Sequence, residues 1–430
     1  MSTTIGRGTS VPWWKEPTKD QWLAWWAAWM GWTLDSFDFT VFLLIMVPIA
    51  KEFNVPLTEV TAVFAITLWL RLVGATASGW LADRVGRKIP LMISILWYSI
   101  CNFIAGFSPT FAFLFFFRAL LGIGMGAEWP AGASLAMESW PARSRGLMSS
   151  VLQGSWALGF LASSAAYGLL FDAIGWRGLL WIGILPALVV VWVRKYVREP
   201  EVWLENRKKQ REENKQVHLP LFVIFKRGNL ANTLTACWWM ASGFTVYYSI
   251  FALFATHLQK DLALSAALVS VPLMFSNAAT FVASFIWGRV ADTLGRRWSM
   301  IIPAVIALAI TPTYLLTNDY MTLAIGFAVQ GLFGGAIYGQ NPSYLSERFP
   351  TEVRATAAGF CYHQGAIFGG LVAPVLTYIA VNYNVGFGVA MLIGTTVGLA
   401  SFIIALLLGP ETKGKELVSD IEVFAHEPGV

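Results

Sequence analysis

The chain consists of long apolar runs that are separated by short polar segments. About twelve of these runs are long enough to cross a bilayer, because about 20 helical residues span its hydrocarbon core. A large soluble protein would instead alternate short apolar runs with polar positions. The pattern predicts an all-α polytopic membrane protein with twelve transmembrane helices. The predicted spans lie near residues 22–49, 58–82, 90–108, 110–137, 146–171, 177–197, 230–257, 265–291, 299–317, 320–346, 355–381 and 386–409.

Composition supports a membrane protein. Hydrophobic residues make up 56% of the chain and charged residues 13%, against about 25% charged residues in an average soluble domain. The 38 Gly and 19 Pro suit membrane helices, where small residues allow close packing and Pro kinks are tolerated. Cys101, Cys237 and Cys361 lie one by one in different predicted spans. This spacing indicates packing residues and neither a disulfide framework nor a metal site.

The sequence contains no motif of enzyme chemistry: no P-loop, no G-x-S-x-G elbow and no H-E-x-x-H. A G-x-G-x-G stretch at residues 122–126 lies inside an apolar span. There it favours close helix packing over nucleotide binding. We therefore expect no enzymatic activity, no cofactor and no bound metal.

Lys and Arg are unevenly distributed among the polar segments. They concentrate in the N-terminal tail, in every second loop and in the middle segment REPEVWLENRKKQREENKQVH. The positive-inside rule places these segments in the cytoplasm. It predicts a multi-pass protein of the plasma membrane, the inner membrane in bacteria, with both termini cytoplasmic. The net charge of +5 is then a topology signal, and we expect the lipid bilayer and no nucleic acid as a partner.

The charged middle segment divides the chain into two similar halves. GWLADRVGRK at residues 79–88 is matched by GRVADTLGRR at 288–297, and ESWPARSRG at 138–146 by ERFPTEVRA at 347–355. Two six-helix repeats with a substrate site between them at mid-membrane are a transporter architecture. The predicted domains are a cytoplasmic tail (1–21), an N-terminal six-helix bundle (22–197), a cytoplasmic linker (198–229), a C-terminal six-helix bundle (230–409) and a cytoplasmic tail (410–430).

The first repeated stretch predicts a gate at the cytoplasmic side. Its glycines let helices approach closely, and its aspartate can bind both helix N-terminal amides and an arginine. The candidate gate residues are Gly79, Asp83, Arg84, Gly86 and Arg87 in the first half, and Gly288, Asp292, Gly295 and Arg296 in the second.

The pattern G-x-x-x-D-[RK]-x-G-[RK]-[RK], which residues 79–88 match and residues 288–297 match except at Thr293, resembles the signature of the major facilitator superfamily. LDSFDF (34–39), GIGMGAEWP (122–130), ESWPARSRG and GWRGLLWIGILPALVVVWVRK (175–195) are similar to the sialate and lactate proton-symporter branch. The resemblance implies proton-coupled symport of a small organic anion by alternating access, with a monocarboxylate such as lactate or pyruvate as cargo. A sialic acid or an aromatic acid is the alternative cargo, and a nutrient receptor that does not transport is a third hypothesis. We expect a monomer.

Five charged residues of the first half lie away from the ends of the predicted spans: Asp35, Asp38, Arg71, Arg118 and Glu128. A charge at bilayer depth costs at least about 2.5 kcal/mol, so such residues usually face a cavity and mark function. Asp35 and Asp38 stand at i and i+3 and share one face of the first helix. We predict that one of them takes up the coupled proton, with Glu128 as a further candidate. Alternatively, one Asp forms a structural pair with Arg71 or Arg118.

An arginine that faces a central cavity is a natural anchor for an organic anion, because guanidinium stays charged and binds carboxylates bidentately. Arg71 is the first candidate, and Arg118 is the second, with structural pairing as its rival role. His363 and Gln364 suit a substrate hydrogen bond as well as a packing role. Aromatic residues that could line the cavity are Trp69, Tyr247, Tyr248 and Tyr338.

Overall fold

The computed structural model describes residues 12–226, 228–264 and 266–421, and the regular structure in these ranges is helical. This confirms the predicted all-α class. In the same ranges, nine helices are long and apolar enough to cross a membrane. The first predicted span, which contains Asp35 and Asp38, forms one continuous helix.

The first half contains six membrane crossings. Thr18 and Gln21 form a reciprocal capping box that starts the first helix. The chain reverses direction at Gly175 (φ 63°, ψ −175°), within a single run of helical hydrogen bonding. The residues before this glycine form the fifth crossing, and those after it belong to the sixth. The helices are α1 (Lys19–Phe53), α2 (Leu57–Val85), α3 (Lys88–Ala105), α4 (Phe111–Ser139), α5 (Arg145–Ile182) and α6 (Pro186–Tyr196).

The linker folds into α7 (Glu201–Glu212) and α8 (Pro220–Val223). Helix α7 packs against the bundle, since Trp203, Asn206 and Gln210 on one face are buried. The indole of Trp203 donates to the carbonyl of Asp83, with 3.4 Å between the two atoms. The linker helix is therefore attached to the predicted gate.

The second half also crosses six times, and two of its crossings are broken. A π-helical turn (Tyr248–Ala252) interrupts the seventh crossing, and residues 334–340 with a short 3₁₀ turn (Ala336–Tyr338) interrupt the tenth. Such π-helical turns are rare and often mark functional sites. The helices are α9 (Leu230–Tyr247), α10 (Phe254–Lys260), α11 (Ala266–Leu294), α12 (Arg296–Leu315), α13 (Tyr320–Phe333), α14 (Asn341–Arg348), α15 (Arg354–Asn382) and α16 (Gly386–Leu408).

The apolar core is divided between the halves. One large buried cluster fills the second half and reaches Trp32 and Trp129 of the first, while smaller clusters fill the rest of the first half. On the outside, large apolar side chains such as Leu169, Phe275 and Val397 are exposed. This distribution is expected where lipid, and not water, surrounds the helices.

The two halves approach each other closely at one end of the bundle. The linker, the start of α1 and the end of α16 lie at this end. We call it the basic end, because Arg and Lys gather there. A Cβ atom on Gly79 of α2 would lie 2.6 Å from the Cα atom of Thr356 on α15. A Cβ atom on Gly288 of α11 would lie 2.8 Å from the Cα atom of Leu147 on α5. Only glycine permits these two approaches.

We expect Gly79→Ala to keep α2 and α15 apart at the basic end, because the added methyl group meets backbone atoms that cannot move aside. Electron paramagnetic resonance distances between spin labels on the basic ends of α2 and α15 should lengthen. Gly243→Ala is the matched control, since its Cβ would lie 3.5 Å from the nearest atom, an ordinary contact. An unchanged distance in Gly79→Ala would show that the close approach does not require glycine.

Candidate functional site

A central cavity of about 920 Å³ lies between the two halves. Helices α1, α2 and α5 line it from the first half, and α9, α11, α14, α15 and both broken segments line it from the second. Among the described residues of its lining, Arg71 is the one with a charge. Nine of the described lining residues are aromatic: Trp32, Phe39, Trp156, Phe244, Tyr247, Tyr248, Phe251, Tyr338 and Tyr362.

Arg71 is held in place by Asp35 and by aromatic rings. Its Nη2 atom lies 3.2 Å from one carboxylate oxygen of Asp35 and 3.5 Å from the other. Its guanidinium carbon lies 4.7 Å from the ring centre of Phe39 and 5.8 Å from that of Trp156. Its buried Nε atom has no hydrogen-bond partner among the described residues. Arg71 therefore retains a free N–H donor, from which a carboxylate in the cavity could accept a hydrogen bond.

Asp38 and Arg118 lie in the interior of the first half and are absent from the cavity lining. Asn102 of α3 joins them: its Nδ2 donates to Asp38 over 3.1 Å, and its Oδ1 accepts from Arg118 over 3.0 Å. The chain passes so closely here that a Cβ atom on Gly183 would lie 2.1 Å from the Asn102 amide nitrogen. The structure thus gives Arg118 a pairing role and separates it from the cavity. Asn102 is not among the residues predicted from sequence, although a lone amide in an apolar span is a visible signal.

Glu128 is buried between α4 and α1, with a carboxylate oxygen 2.5 Å from the position of a Cβ atom on Gly31. Its other oxygen has no hydrogen-bond partner in the described part of the chain. Glu128 lines a second, smaller pocket of about 180 Å³ together with Trp32 and Trp129. Trp32 also lines the central cavity. One indole therefore separates the carboxyl group of Glu128 from the cavity.

Tyr98 of α3 is fully buried in the first half. Its hydroxyl group has no hydrogen-bond partner within the described ranges. Tyr98 is not among the residues predicted from sequence, because a single tyrosine in an aromatic-rich chain carries no distinguishing pattern.

His363 and Gln364 of α15 do not line the cavity. The imidazole of His363 is buried, with Nδ1 placed 3.1 Å from the carbonyl oxygen of Gly359 one turn earlier. Gln364 donates to the carbonyl oxygens of Cys237 and Cys361, over 2.8 and 3.0 Å. The sulfur atoms of these two cysteines lie 3.7 Å apart, although the sequence suggested isolated packing residues. These contacts are internal to the second half.

The predicted aromatic residues divide between the cavity and the outside. Tyr247, Tyr248 and Tyr338 line the cavity, and the hydroxyl group of Tyr247 accepts a hydrogen bond of 3.2 Å from the indole of Trp156. This bond joins the two halves across the cavity wall. Trp69 is 43% exposed on the outside of α2 and is not part of the lining.

At the basic end, the first gate motif forms a cluster of charges that joins the halves. Arg87 binds Asp83 over 2.9 Å and Glu138 over 2.7 Å, and Glu138 also binds Arg354 of the second half over 2.6 Å. Asp83 accepts from the backbone and side chain of Thr356 at the start of α15, over 2.9 and 2.7 Å. Its carboxylate thus stabilises the N-terminus of that helix.

The second gate motif repeats this arrangement with the halves exchanged. Arg296 binds Asp292 over 3.0 Å and Glu347 over 2.9 Å, and Glu347 also binds Arg145 of the first half over 3.3 Å. Asp292 accepts from the backbone N–H of Gly146 at the start of α5, over 2.8 Å. Both clusters hold the basic end closed.

Two further carboxylates cap the helices that follow the gate motifs. Glu199 accepts from the first two N–H groups at the start of α3 over 2.7 and 2.9 Å, and Glu411 does the same at the start of α12 over 2.8 and 3.1 Å. Gly86 (φ 113°) and Gly295 (φ 111°) make room for these carboxylates. Burial raises the pKa of Glu199, while the two N–H groups oppose the shift. Arg84 stands apart from the clusters and lies over the ring of Trp80.

The charge clusters extend beyond the predicted gate residues. Glu138 and Arg145 belong to the repeated stretch at 138–146, and Glu347 and Arg354 to its counterpart at 347–355. The sequence shows these charges of opposite sign at the same offset in both halves. It does not show that they pair across the halves, because the paired residues lie about two hundred positions apart in the chain.

Comparison with known proteins identifies the fold family. A family model described as the Major Facilitator Superfamily matches residues 28–282 and 240–423. The chain belongs to the Major Facilitator Superfamily. It is therefore a multi-pass membrane transporter and not an enzyme, as the sequence predicts.

Two relatives and one solved structure extend this result. The major facilitator chain is 29% identical to the "Probable 4-methylmuconolactone transporter" of Cupriavidus pinatubonensis, over 97% of this chain and 96% of the relative. It is 27% identical to the sialic acid transporter NanX of Escherichia coli, over 94% and 98% of the two chains. A solved structure of the proton:xylose symporter XylE superposes with a TM-score of 0.75 at 17% identity, over 94% of this chain and 98% of that chain. The last similarity concerns the fold alone.

We expect Asn102→Leu to destabilise the first half by about 2–3 kcal/mol, because it leaves Asp38 and Arg118 buried without their shared partner. Thermal unfolding in detergent should show a lower Tm than the unchanged chain. Asn277→Leu is the control, since among the described residues the Asn277 amide donates to Leu273 of its own helix. Equal Tm values for the two variants would contradict a bridging role for Asn102.

Proposed function

We propose that this chain is a secondary active transporter that carries a small organic anion together with protons by alternating access. We place it as a monomer in a bacterial inner membrane, with the basic end and both termini facing the cytoplasm. The observation that carries the proposal is the position of Arg71, a buried cation in the wall of a cavity between two repeated halves. Relatives of nearly the same length that are named for organic acids support this cargo class.

Charge balance in the cavity supports proton coupling. The ion pair of Arg71 with Asp35 is neutral, so the empty carrier can change conformation without an uncompensated buried charge. A substrate carboxylate that binds Arg71 competes with Asp35 for the same guanidinium. Once displaced, the fully buried Asp35 is an uncompensated anion until it binds a proton. Substrate and proton together restore neutrality, whereas substrate alone leaves an excess negative charge that opposes the conformational change.

Asp38 and Glu128 are additional candidates for the proton. Both are buried, and each has one carboxylate oxygen without a hydrogen-bond partner among the described residues. Within the described ranges, neither forms a direct ion pair of the kind that Asp35 forms with Arg71. We assign the exchange with substrate to Asp35 because its carboxylate binds the cavity arginine.

The closed basic end supports alternating access. Glu138 binds an arginine from each half, and so does Glu347. Release of substrate into the cytoplasm requires these ion pairs to break, and the helix ends that they join to separate. In this conformation the clusters close the cytoplasmic exit, and the substrate would enter the cavity from the opposite side.

Charge alone leaves the cargo open among monocarboxylates. Lactate or pyruvate, predicted from the resemblance, satisfies one guanidinium as well as a sialic acid or an aromatic acid does. The aromatic wall of the cavity distinguishes these cargoes.

We expect Asp35→Asn to abolish substrate-driven proton uptake, because an amide can neither pair with Arg71 as an anion nor accept the coupled proton. Purified protein in liposomes loaded with a pH-sensitive dye would report the proton flux after addition of an organic acid. Asp172→Asn is the matched control, since Asp172 is an exposed acid at the far end of α5. Normal concentrative uptake in both Asp35→Asn and Asp38→Asn would contradict proton coupling at these acids.

We expect Arg71→Gln to weaken substrate binding at least about tenfold, because the charge-assisted hydrogen bond to the carboxylate is lost. Arg71→Lys should retain part of the affinity, since it keeps the charge but not the planar donor geometry. Arg289→Gln, which removes an exposed arginine of α11, is the control. The KM for uptake measures the effect, and an unchanged KM in Arg71→Gln would exclude Arg71 as the anchor.

A further inference from the structure

The wall of the central cavity is a connected set of aromatic rings. The ring centre of Trp156 lies 4.8 Å from that of Trp32 and 5.7 Å from that of Phe39. On the facing half, the ring centre of Tyr247 lies 4.9 Å from Phe251 and 5.9 Å from Tyr338. Flat ring faces attract flat unsaturated ligands through stacked or edge-to-face contacts. The space between these walls, about 920 Å³ when the part open to solvent is included, can admit a ring.

A second observation limits the charge of the ligand. Arg71 is the one charged group of the described lining, and Asp35 already shares it. The polar side chains elsewhere in the wall, such as Gln153, Asn277 and Thr280, are uncharged. One carboxylate can therefore be neutralised. A second carboxylate on the same ligand would be buried without a cation, which is strongly unfavourable.

A third observation indicates that the cavity can bind acceptor atoms. Four buried polar atoms of cavity-lining residues lack a partner in the described ranges: Nε of Arg71, Nε1 of Trp32, Nδ2 of Asn341 and Oε1 of Gln153. Three of the four are donors. They suit a carboxylate and one or two further acceptor atoms, such as a carbonyl oxygen.

We propose that the cavity binds a flat, unsaturated cyclic monocarboxylate that carries an uncharged hydrogen-bond acceptor away from its carboxylate. The carboxylate lies on Arg71, the ring lies between the aromatic walls, and the acceptor meets the unpartnered donors of Trp32 or Asn341. This inference rests on the proposed function and selects its cargo. An unsaturated lactone acid has this chemistry, whereas neither lactate nor a sugar acid such as gluconate has a flat unsaturated ring.

The test is a panel of acids offered to the unmodified full chain in liposomes, with proton uptake and competition against labelled benzoate as readouts. The panel contains benzoate, para-formylbenzoate, cyclohexanecarboxylate, terephthalate, lactate and gluconate. We expect para-formylbenzoate to bind at least as well as benzoate, because its carbonyl oxygen can meet the unpartnered donors. Cyclohexanecarboxylate, of similar size but not flat, should bind about threefold to tenfold more weakly than benzoate. Terephthalate should bind about a hundredfold more weakly than benzoate, because its second carboxylate has no cation. Gluconate should also bind more weakly than benzoate, because it has no flat ring.

Two variants test separate parts of the argument. Phe251→Leu should weaken benzoate binding but not lactate binding, and Phe251→Tyr, which keeps the ring, is its matched control. Gln153→Lys adds a second cation to the lining and should let terephthalate compete. A Gln153→Lys protein that still carries benzoate but excludes terephthalate would overturn the argument from charge. The panel on the unmodified chain decides the proposal whether or not either variant folds.

The outcomes separate this inference from the function on which it rests. If lactate or gluconate drives proton uptake better than benzoate does, the inferred cargo is wrong and the proton-coupled anion transporter stands. If benzoate and cyclohexanecarboxylate bind equally well, the cavity selects for apolar volume and not for flat rings, and the inference falls. If no acid of the panel gives substrate-dependent proton uptake, the proposed function fails together with the inferred cargo.

Discussion

The ion pair of Arg71 with Asp35 is the interaction on which the central cavity depends. A lone charge at this depth would be costly, and each partner removes that cost for the other. The pair is neutral and leaves the buried Nε–H of Arg71 unpartnered within the described residues. In the proposed mechanism, a substrate carboxylate and Asp35 compete for this one cation, so that binding is linked to the charge of the neighbouring acid. The aromatic wall would then surround the rest of the bound acid.

The cost of burying an unpaired charge also applies at the basic end. There, Glu138 and Glu347 each bind arginines from both halves, and the aspartates of the two gate motifs bind the N-termini of helices in the opposite half. These bonds lie at the end of the bundle, where water can replace them when the halves separate. In the proposed alternating access, the ion pairs at the basic end would break and re-form, while Arg71 would exchange Asp35 for a substrate carboxylate.

Part of the candidate site was predictable from the sequence because burying a charge is costly wherever it occurs. That rule selects Arg71 and Asp35 without any knowledge of the fold. It also selects Arg118, which the structure instead pairs with Asp38 through Asn102, away from the cavity. The aromatic wall follows no comparable rule. Trp69 and Trp156 are equivalent in sequence terms, yet one is exposed on the outside and the other lines the cavity.

The sequence by itself determined the class of protein, the order of the crossings, the repeat and the residues whose charges need partners. These properties depend on composition and on local periodicity, which are written along the chain. Only the tertiary structure decided which charges meet, which rings face the cavity and which glycines touch the other half. Those outcomes depend on the rotation and separation of helices from distant parts of the chain. Close approaches such as that of Gly79 to Thr356 set these quantities, and no local pattern encodes them.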